Sequence, residues 1–173
     1  EITNKVGPVD VLVNNAGITR DTPLYKMTPD QWNEVINTNL NSVFNCSRLV
    51  IESMISKGWG RIINISSVNG QKGQFGQTNY STAKSGMYGF SKSLALETAK
   101  KGITVNTISP GYIATSMVMA IKEEIREKIV AQIPAGRLGT PEEIAKLVSY
   151  LASDDAQYIT GANLAINGGL HMY

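Results

Sequence analysis

Tyr80 and Lys84 stand four residues apart in Tyr80-Ser81-Thr82-Ala83-Lys84, and a serine pair, Ser66-Ser67, closes the apolar run that begins at Arg61. Residues four apart on a helix share a face. An ammonium one turn from a phenol favours the phenolate and draws the phenol's pKa down from about 10. Tyr80 then becomes a usable general acid or base near neutral pH. The run Arg61-Ile62-Ile63-Asn64-Ile65-Ser66 reads as a buried strand, which places the Ser67 hydroxyl at a carboxyl strand end, where open α/β sheets bind ligands. Taken alone, Tyr-x-x-x-Lys is the ordinary pattern of a solvated helix face. The spacing to Ser67 and the motifs that follow turn the reading toward chemistry.

These groups need a frame. Val9 to Val13 is an apolar strand broken only by Asp10, and it runs into the turn Asn14-Asn15-Ala16-Gly17. Thr28-Pro29-Asp30-Gln31 opens a helix, with Thr28 as N-cap, Pro29 at the first helical position and Gln31 closing a capping box. Apolar residues recur from Trp32 to Met54, and Gly58 is the natural stop. Ile62 to Ile65 is the second strand, and a helix is expected from about Ser81 to Lys101, ended by Gly102. Ile103 to Ile108 is a third strand closed by Pro110-Gly111. Thr140-Pro141-Glu142-Glu143 repeats the capping-box pattern and opens a helix to about Ser153, and Asn163 to Ile166 is a last short strand. Met117 to Gln132 is amphipathic and fits either a surface helix or a mobile lid over a substrate. Strands alternating with helices of these lengths argue for an α/β fold, a doubly wound parallel sheet covered on both faces, within one domain spanning residues 1–173.

Composition narrows the function class. Hydrophobic residues at 42% and charged residues at 17% describe a globular protein. A net charge of +2 without a Lys/Arg cluster leaves no electrostatic footprint for nucleic acid. No apolar run approaches the length of a membrane span, and with one cysteine and no leader pattern the expected location is the cytoplasm. Cys46 lies in an apolar helical stretch and is expected to pack. No cluster of His, Cys, Asp and Glu has metal-ligand spacing, so no metal is expected.

Asn14-Asn15-Ala16-Gly17, Asn39 within Asn37-Thr38-Asn39-Leu40, Ser67, Tyr80-x-x-x-Lys84 and Pro110-Gly111-Tyr112-Ile113-Ala114-Thr115 follow one another in this order. From about Val9 to the C-terminus the series resembles the ordered motifs of the short-chain dehydrogenase/reductase family. The resemblance implies a Rossmann-type sheet and a catalytic set of Asn39, Ser67, Tyr80 and Lys84. Tyr80 would protonate a carbonyl oxygen held by Ser67, Lys84 would lower the Tyr80 pKa and bond a nicotinamide ribose, and Asn39 would position a relay water. A side chain that satisfies a helix kink is the competing reading for Asn39. Asn15, Ala16, Gly17, Ile18 and Lys84, with Pro110, Gly111, Tyr112, Ile113 and Thr115, would meet the cofactor.

Within the family, Gly73-Gln74-Phe75-Gly76-Gln77-Thr78-Asn79-Tyr80 and the ending Asn167-Gly168-Gly169-Leu170-His171-Met172 look most like the NADPH-dependent acetoacetyl-CoA reductases, with the 3-oxoacyl-[acyl-carrier-protein] reductases as close relatives. That likeness assigns Asp21, Lys26, Gln74, Phe75, Gln77 and Tyr112 to a short acyl-CoA thioester and implies a homotetramer. It also implies that this chain corresponds to the C-terminal part of the fold. The first strands, the glycine-rich turn that holds a pyrophosphate and the residue that reads the adenosine ribose would be missing from it. A non-catalytic remnant keeping only assembly surfaces is the alternative from another function class.

Overall fold

In the computed structural model, which describes residues 5–172, the sheet has four parallel strands in the order β1-β2-β3-β4. They are β1 (Val11–Asn14), β2 (Gly60–Ile65), β3 (Ile103–Pro110) and β4 (Asn163–Ile166). The register pairs Val11 with Arg61, Ile65 with Ile108 and Pro110 with Ile166, so the strands end together at one carboxyl edge. Every residue of β2 is buried, as a run without polar alternation requires of a strand covered on both faces. β1 pairs from Val11 rather than Val9, and Val9 packs into the core instead.

The helices in chain order are α1 (Pro29–Ile36), α2 (Ser42–Lys57), α3 (Val68–Lys72), α4 (Thr78–Thr98), α5 (Ser116–Met119), α6 (Glu123–Val130) and α7 (Pro141–Ala152). Both capping boxes form: at α1 the Gln31 N–H bonds the Thr28 hydroxyl at 3.2 Å while the Thr28 N–H bonds Gln31 at 3.0 Å, and Thr140 and Glu143 do the same at α7. The run expected to continue from Thr28 to Gly58 is not one helix. A π-helical turn, Asn37–Asn41, separates α1 from α2. α4 starts at Thr78, earlier than the expected Ser81, so Tyr80 lies within its first turn. The amphipathic stretch from Met117 divides into α5 and α6.

Side chains leave each strand alternately to opposite faces. On one face Ile62, Ile103 and Val105 pack with Met54 of α2 and Ala95 of α4. On the other, Ile63, Ile65 and Ile108 pack with Leu151 of α7. The helices α2 and α4 lie beside each other on the first face, and a groove of about 540 Å³ between them is lined by Phe44, Ile51, Ile55, Phe90 and Leu94. Phe44 and Leu49 are exposed on α2, and so is Cys46. The expectation that Cys46 packs is therefore corrected: the apolar pattern of this helix continues onto its outward face. No helix among the described residues is long and apolar enough to cross a membrane.

Candidate active site

The carboxyl edge of the sheet opens into a cleft of about 650 Å³ that Ser67, Tyr80 and Lys84 line together. Ser67 leaves β2 in extended conformation and caps α3, accepting from the Asn69 N–H at 3.1 Å. Tyr80 and Lys84 come from the sheet-facing side of α4. The Tyr80 phenol lies close enough to Ser67 for that hydroxyl to favour the phenolate. Lys84 is buried, and its ammonium donates to the Ile65 carbonyl at 2.7 Å while standing 5.6 Å from the centre of the Tyr80 ring.

The electrostatics differ from the expectation. Burial raises the Tyr80 pKa above its ordinary 10.0, and the Ser67 hydroxyl only partly counters it. Lys84 does not bring the phenol down, because its ammonium is committed to the end of β2 and is itself desolvated. Burial lowers the Lys84 pKa from 10.5 to about 8. Tyr80 is thus a protonated donor through the neutral range, and Lys84 is the group that titrates near it.

Asn39 is fully buried in the π-helical turn. Its amide accepts from the Ile18 N–H at 2.8 Å and donates to the Ile18 carbonyl at 2.9 Å. The turn gives Asn39 its position, but the side chain satisfies a loop some twenty residues earlier rather than the kink itself. Gly17 lies against the same pair. A Cβ there would stand 3.4 Å from the Lys84 ammonium and 3.5 Å from the Asn39 amide oxygen, so the absent side chain leaves the backbone of residues 15–18 beside both.

Of the residues expected at a cofactor, Asn15, Gly17, Pro110, Gly111, Ile113 and Thr115 line the cleft with Lys84. Ile18, held by Asn39, and Ala16 do not line it. Tyr112 faces a smaller pocket with Ile133, Arg137 and Gly139. The substrate set stands apart on the outer loops. Gln77 donates to Asp21 at 2.8 Å and accepts from Asn69 at 3.0 Å, and the Thr22 N–H bonds the Gly76 carbonyl at 2.8 Å, so two loops are fastened together. Gln74 accepts from Lys72 at 3.0 Å, Phe75 is 85% exposed, and Lys26 sits on the neighbouring Tyr25 ring.

The cleft has one wall that sequence reasoning missed. Pro141, Ile144, Ala145, Val148 and Ser149 of α7 line it, at the i, i+3, i+4, i+7, i+8 spacing of a single helix face. That spacing was readable, but nothing in it named the cleft. Asn79, also missed, is fully buried and donates to the carbonyls of Arg20 and Gln31, at 3.2 Å each, which locks the start of α4 to the site loop and to α1.

A family model described as enoyl-(acyl carrier protein) reductase matches residues 1–171. An acetoacetyl-CoA reductase of Cupriavidus necator is 60% identical over 172 residues, covering 99% of this chain and 70% of that protein. One from Allochromatium vinosum is 58% identical over 173 residues, covering 100% of this chain and 70% of its own. A 3-oxoacyl-[acyl-carrier-protein] reductase of Escherichia coli is 54% identical over 172 residues, again 99% of this chain and 70% of that protein. The chain belongs to the short-chain dehydrogenase/reductase family.

Proposed function

We propose that this chain carries the reaction centre of an NADPH-dependent acetoacetyl-CoA reductase, forming (R)-3-hydroxybutyryl-CoA. The observation that carries the reading is the cleft that unites Ser67, Tyr80 and Lys84, in a chain 60% identical to an acetoacetyl-CoA reductase. The residues present suit a nicotinamide nucleoside. Gly17 leaves backbone bare beside the cleft, and Lys84 offers a buried three-donor ammonium, one donor of which is bonded to Ile65. When bound, the reduced nicotinamide supplies the hydride.

The chain's own residues manage the oxygen and the proton. Ser67 donates a hydrogen bond to the carbonyl oxygen of the acyl chain, which gains charge as its carbon is reduced. Tyr80 transfers its phenolic proton to that oxygen, leaving a phenolate beside the Lys84 ammonium. Lys84 would hold the nicotinamide ribose with its remaining donors, and Asn39, by fixing Ile18, sets the loop at Asn15 and Gly17 that lines the cleft. Gln74 and Phe75 on the outer loop are assigned to the four-carbon acyl thioester, and Asp21, Gln77, Tyr112 and Lys26 complete the assignment. A cytoplasmic homotetramer is part of the same proposal, supported by the apolar groove between α2 and α4.

The relative that acts on a carrier-protein substrate is nearly as similar, so the test uses both thioesters. The full gene product is assayed with acetoacetyl-CoA and with a 3-oxoacyl carrier protein, each with NADPH and with NADH. A higher kcat/KM for acetoacetyl-CoA with NADPH is expected. Equal or better turnover of the carrier-protein thioester moves the assignment to that activity, and no turnover with either leaves an assembly-only role.

A further inference from the structure

Tyr80, Lys84 and Tyr88 form a stripe of every fourth residue on α4, and the proposed chemistry uses only the first two. The third phenol sits at the point where the strands end. Its hydroxyl is 3.2 Å from the Ser67 carbonyl, 3.1 Å from the Ser66 hydroxyl and 3.1 Å from the Ser109 hydroxyl. Ser66 in turn donates to the Lys84 carbonyl at 2.8 Å, and Ser109 donates to Asn163 at 2.7 Å. The Tyr88 proton goes to the Ser67 carbonyl, and its oxygen stands within hydrogen-bond reach of the Ser66 and Ser109 hydroxyls, so one phenol meets the ends of β2 and β3. Space at the junction is tight: a Cβ on Gly70 of α3 would lie 3.0 Å from the Tyr88 hydroxyl and 2.9 Å from the Lys84 side chain.

We propose that Tyr88 is a positioning residue for Ser67. The Ser67 hydroxyl has two duties, capping α3 and meeting Tyr80, and its direction follows from the backbone that carries it. The Ser67 carbonyl is held by the Gly70 N–H at 2.9 Å and by Tyr88. The first bond lies within the α3 turn and moves with it; the second reaches from α4, the helix that carries Tyr80. Tyr88 thus sets the Ser67 hydroxyl and the Tyr80 phenol in one frame. A phenylalanine would fill the same space without fixing that frame. This inference rests on the role given to Ser67 above.

The test is a double-mutant cycle in the full gene product with Tyr88→Phe, Ser67→Ala and the pair. Tyr88→Phe is expected to lower kcat about tenfold with KM nearly unchanged, since loss of alignment at the reacting atoms costs rate before it costs binding. The pair is expected to be no slower than Ser67→Ala alone, because Tyr88 acts through a hydroxyl already removed. Ser109→Ala, which withdraws the third anchor of the Tyr88 hydroxyl, repeats the cycle if Tyr88→Phe does not fold. Full turnover by Ser67→Ala sinks the reading of the site itself. A slow Ser67→Ala variant beside an unimpaired Tyr88→Phe, or losses that multiply in the pair, overturns the positioning role alone.

Discussion

Asn39 grips the backbone of Ile18 from both sides, its amide oxygen 2.8 Å from the Ile18 nitrogen and its amide nitrogen 2.9 Å from the Ile18 oxygen. Aspartate keeps the acceptor but sets a buried carboxylate against the Ile18 carbonyl. Alanine removes both partners. Asn39→Ala is expected to cost about 1–3 kcal/mol of stability, since it strands two polar groups away from water. Asn39→Asp should also slow turnover by loosening the loop at Gly17. Denaturant unfolding and steady-state rates check both, and an unchanged midpoint for Asn39→Ala would remove the structural role.

Tyr80→Phe removes the proton donor and little else. Turnover should fall by about 10² or more, with cofactor affinity nearly unchanged. Because burial holds the phenol above its ordinary pKa, no loss of reductase activity through the neutral range should trace to Tyr80. A variant that keeps wild-type kcat takes Tyr80 out of the mechanism.

Lys84 is where function and stability pull apart. Its folded pKa of about 8 lies below the ordinary 10.5 of the unfolded chain. Below about 8 both states hold the proton, and the cost of burying the charge is fully present. Between the two values the unfolded state binds more protons, so stability rises with pH across that window. Lys84→Met should therefore be more stable than wild type at neutral pH, by on the order of 1–3 kcal/mol, and inactive. The gain should shrink as pH climbs toward 10.5. Equal unfolding free energies at neutral pH would mean the ammonium carries no such cost.

The outer loops make a prediction about affinity. Gln77 and Asp21 are fasteners in this structure, whereas Phe75 is open to solvent. Phe75→Ala should raise KM for acetoacetyl-CoA several-fold with kcat largely kept, as expected for lost apolar cover that is uniform between ground and transition states. Gln77→Ala should disturb kcat and KM together by freeing the loop. Identical kinetics for Phe75→Ala and wild type would place the acyl group elsewhere.

Assembly can be measured directly. The groove bounded by Phe44, Ile51, Ile55, Phe90 and Leu94, together with the exposed Leu49, is apolar surface of the kind that a closed symmetric oligomer covers. Light scattering of the full gene product should report a homotetramer, and Phe44→Glu should dissociate it. A stable monomer at micromolar concentration contradicts the expectation.

Elements with strong local signals were read well from sequence. Both capping boxes form on the residues that announced them, and Asn163–Ile166 pairs over the expected span. The misreadings occur where tertiary contacts override local pattern. The π-helical turn at Asn37–Asn41 keeps the apolar periodicity of its neighbours, so only the buried demand of Ile18 for Asn39 explains it. α3 is a five-residue turn between Ser67 and Gly73, with Gly70 inside it and no amphipathic period to detect. The site's polar core was legible because Ser67, Tyr80 and Lys84 fall within an ordered series of motifs, whereas Tyr-x-x-x-Lys alone is the ordinary pattern of a solvated helix face. The α7 wall was not, since an apolar helix face does not say what it faces. The pull of Lys84 on Tyr80 failed for a similar reason: spacing places two groups on one face but leaves open which carbonyl the ammonium reaches.

The helix α4 has two edges with different business. One presents Tyr80, Lys84 and Tyr88 to the strand ends, and the other, with Gly89, Phe90, Ser93 and Leu94, borders the groove toward α2. A rigid rod cannot be loosened along one edge and remain fixed along the other. If copies of the chain meet in that groove, the specific activity of each chain becomes a function of its own concentration. Dilution below the assembly constant would then slow the reaction per molecule, even though no residue of the cleft had been touched.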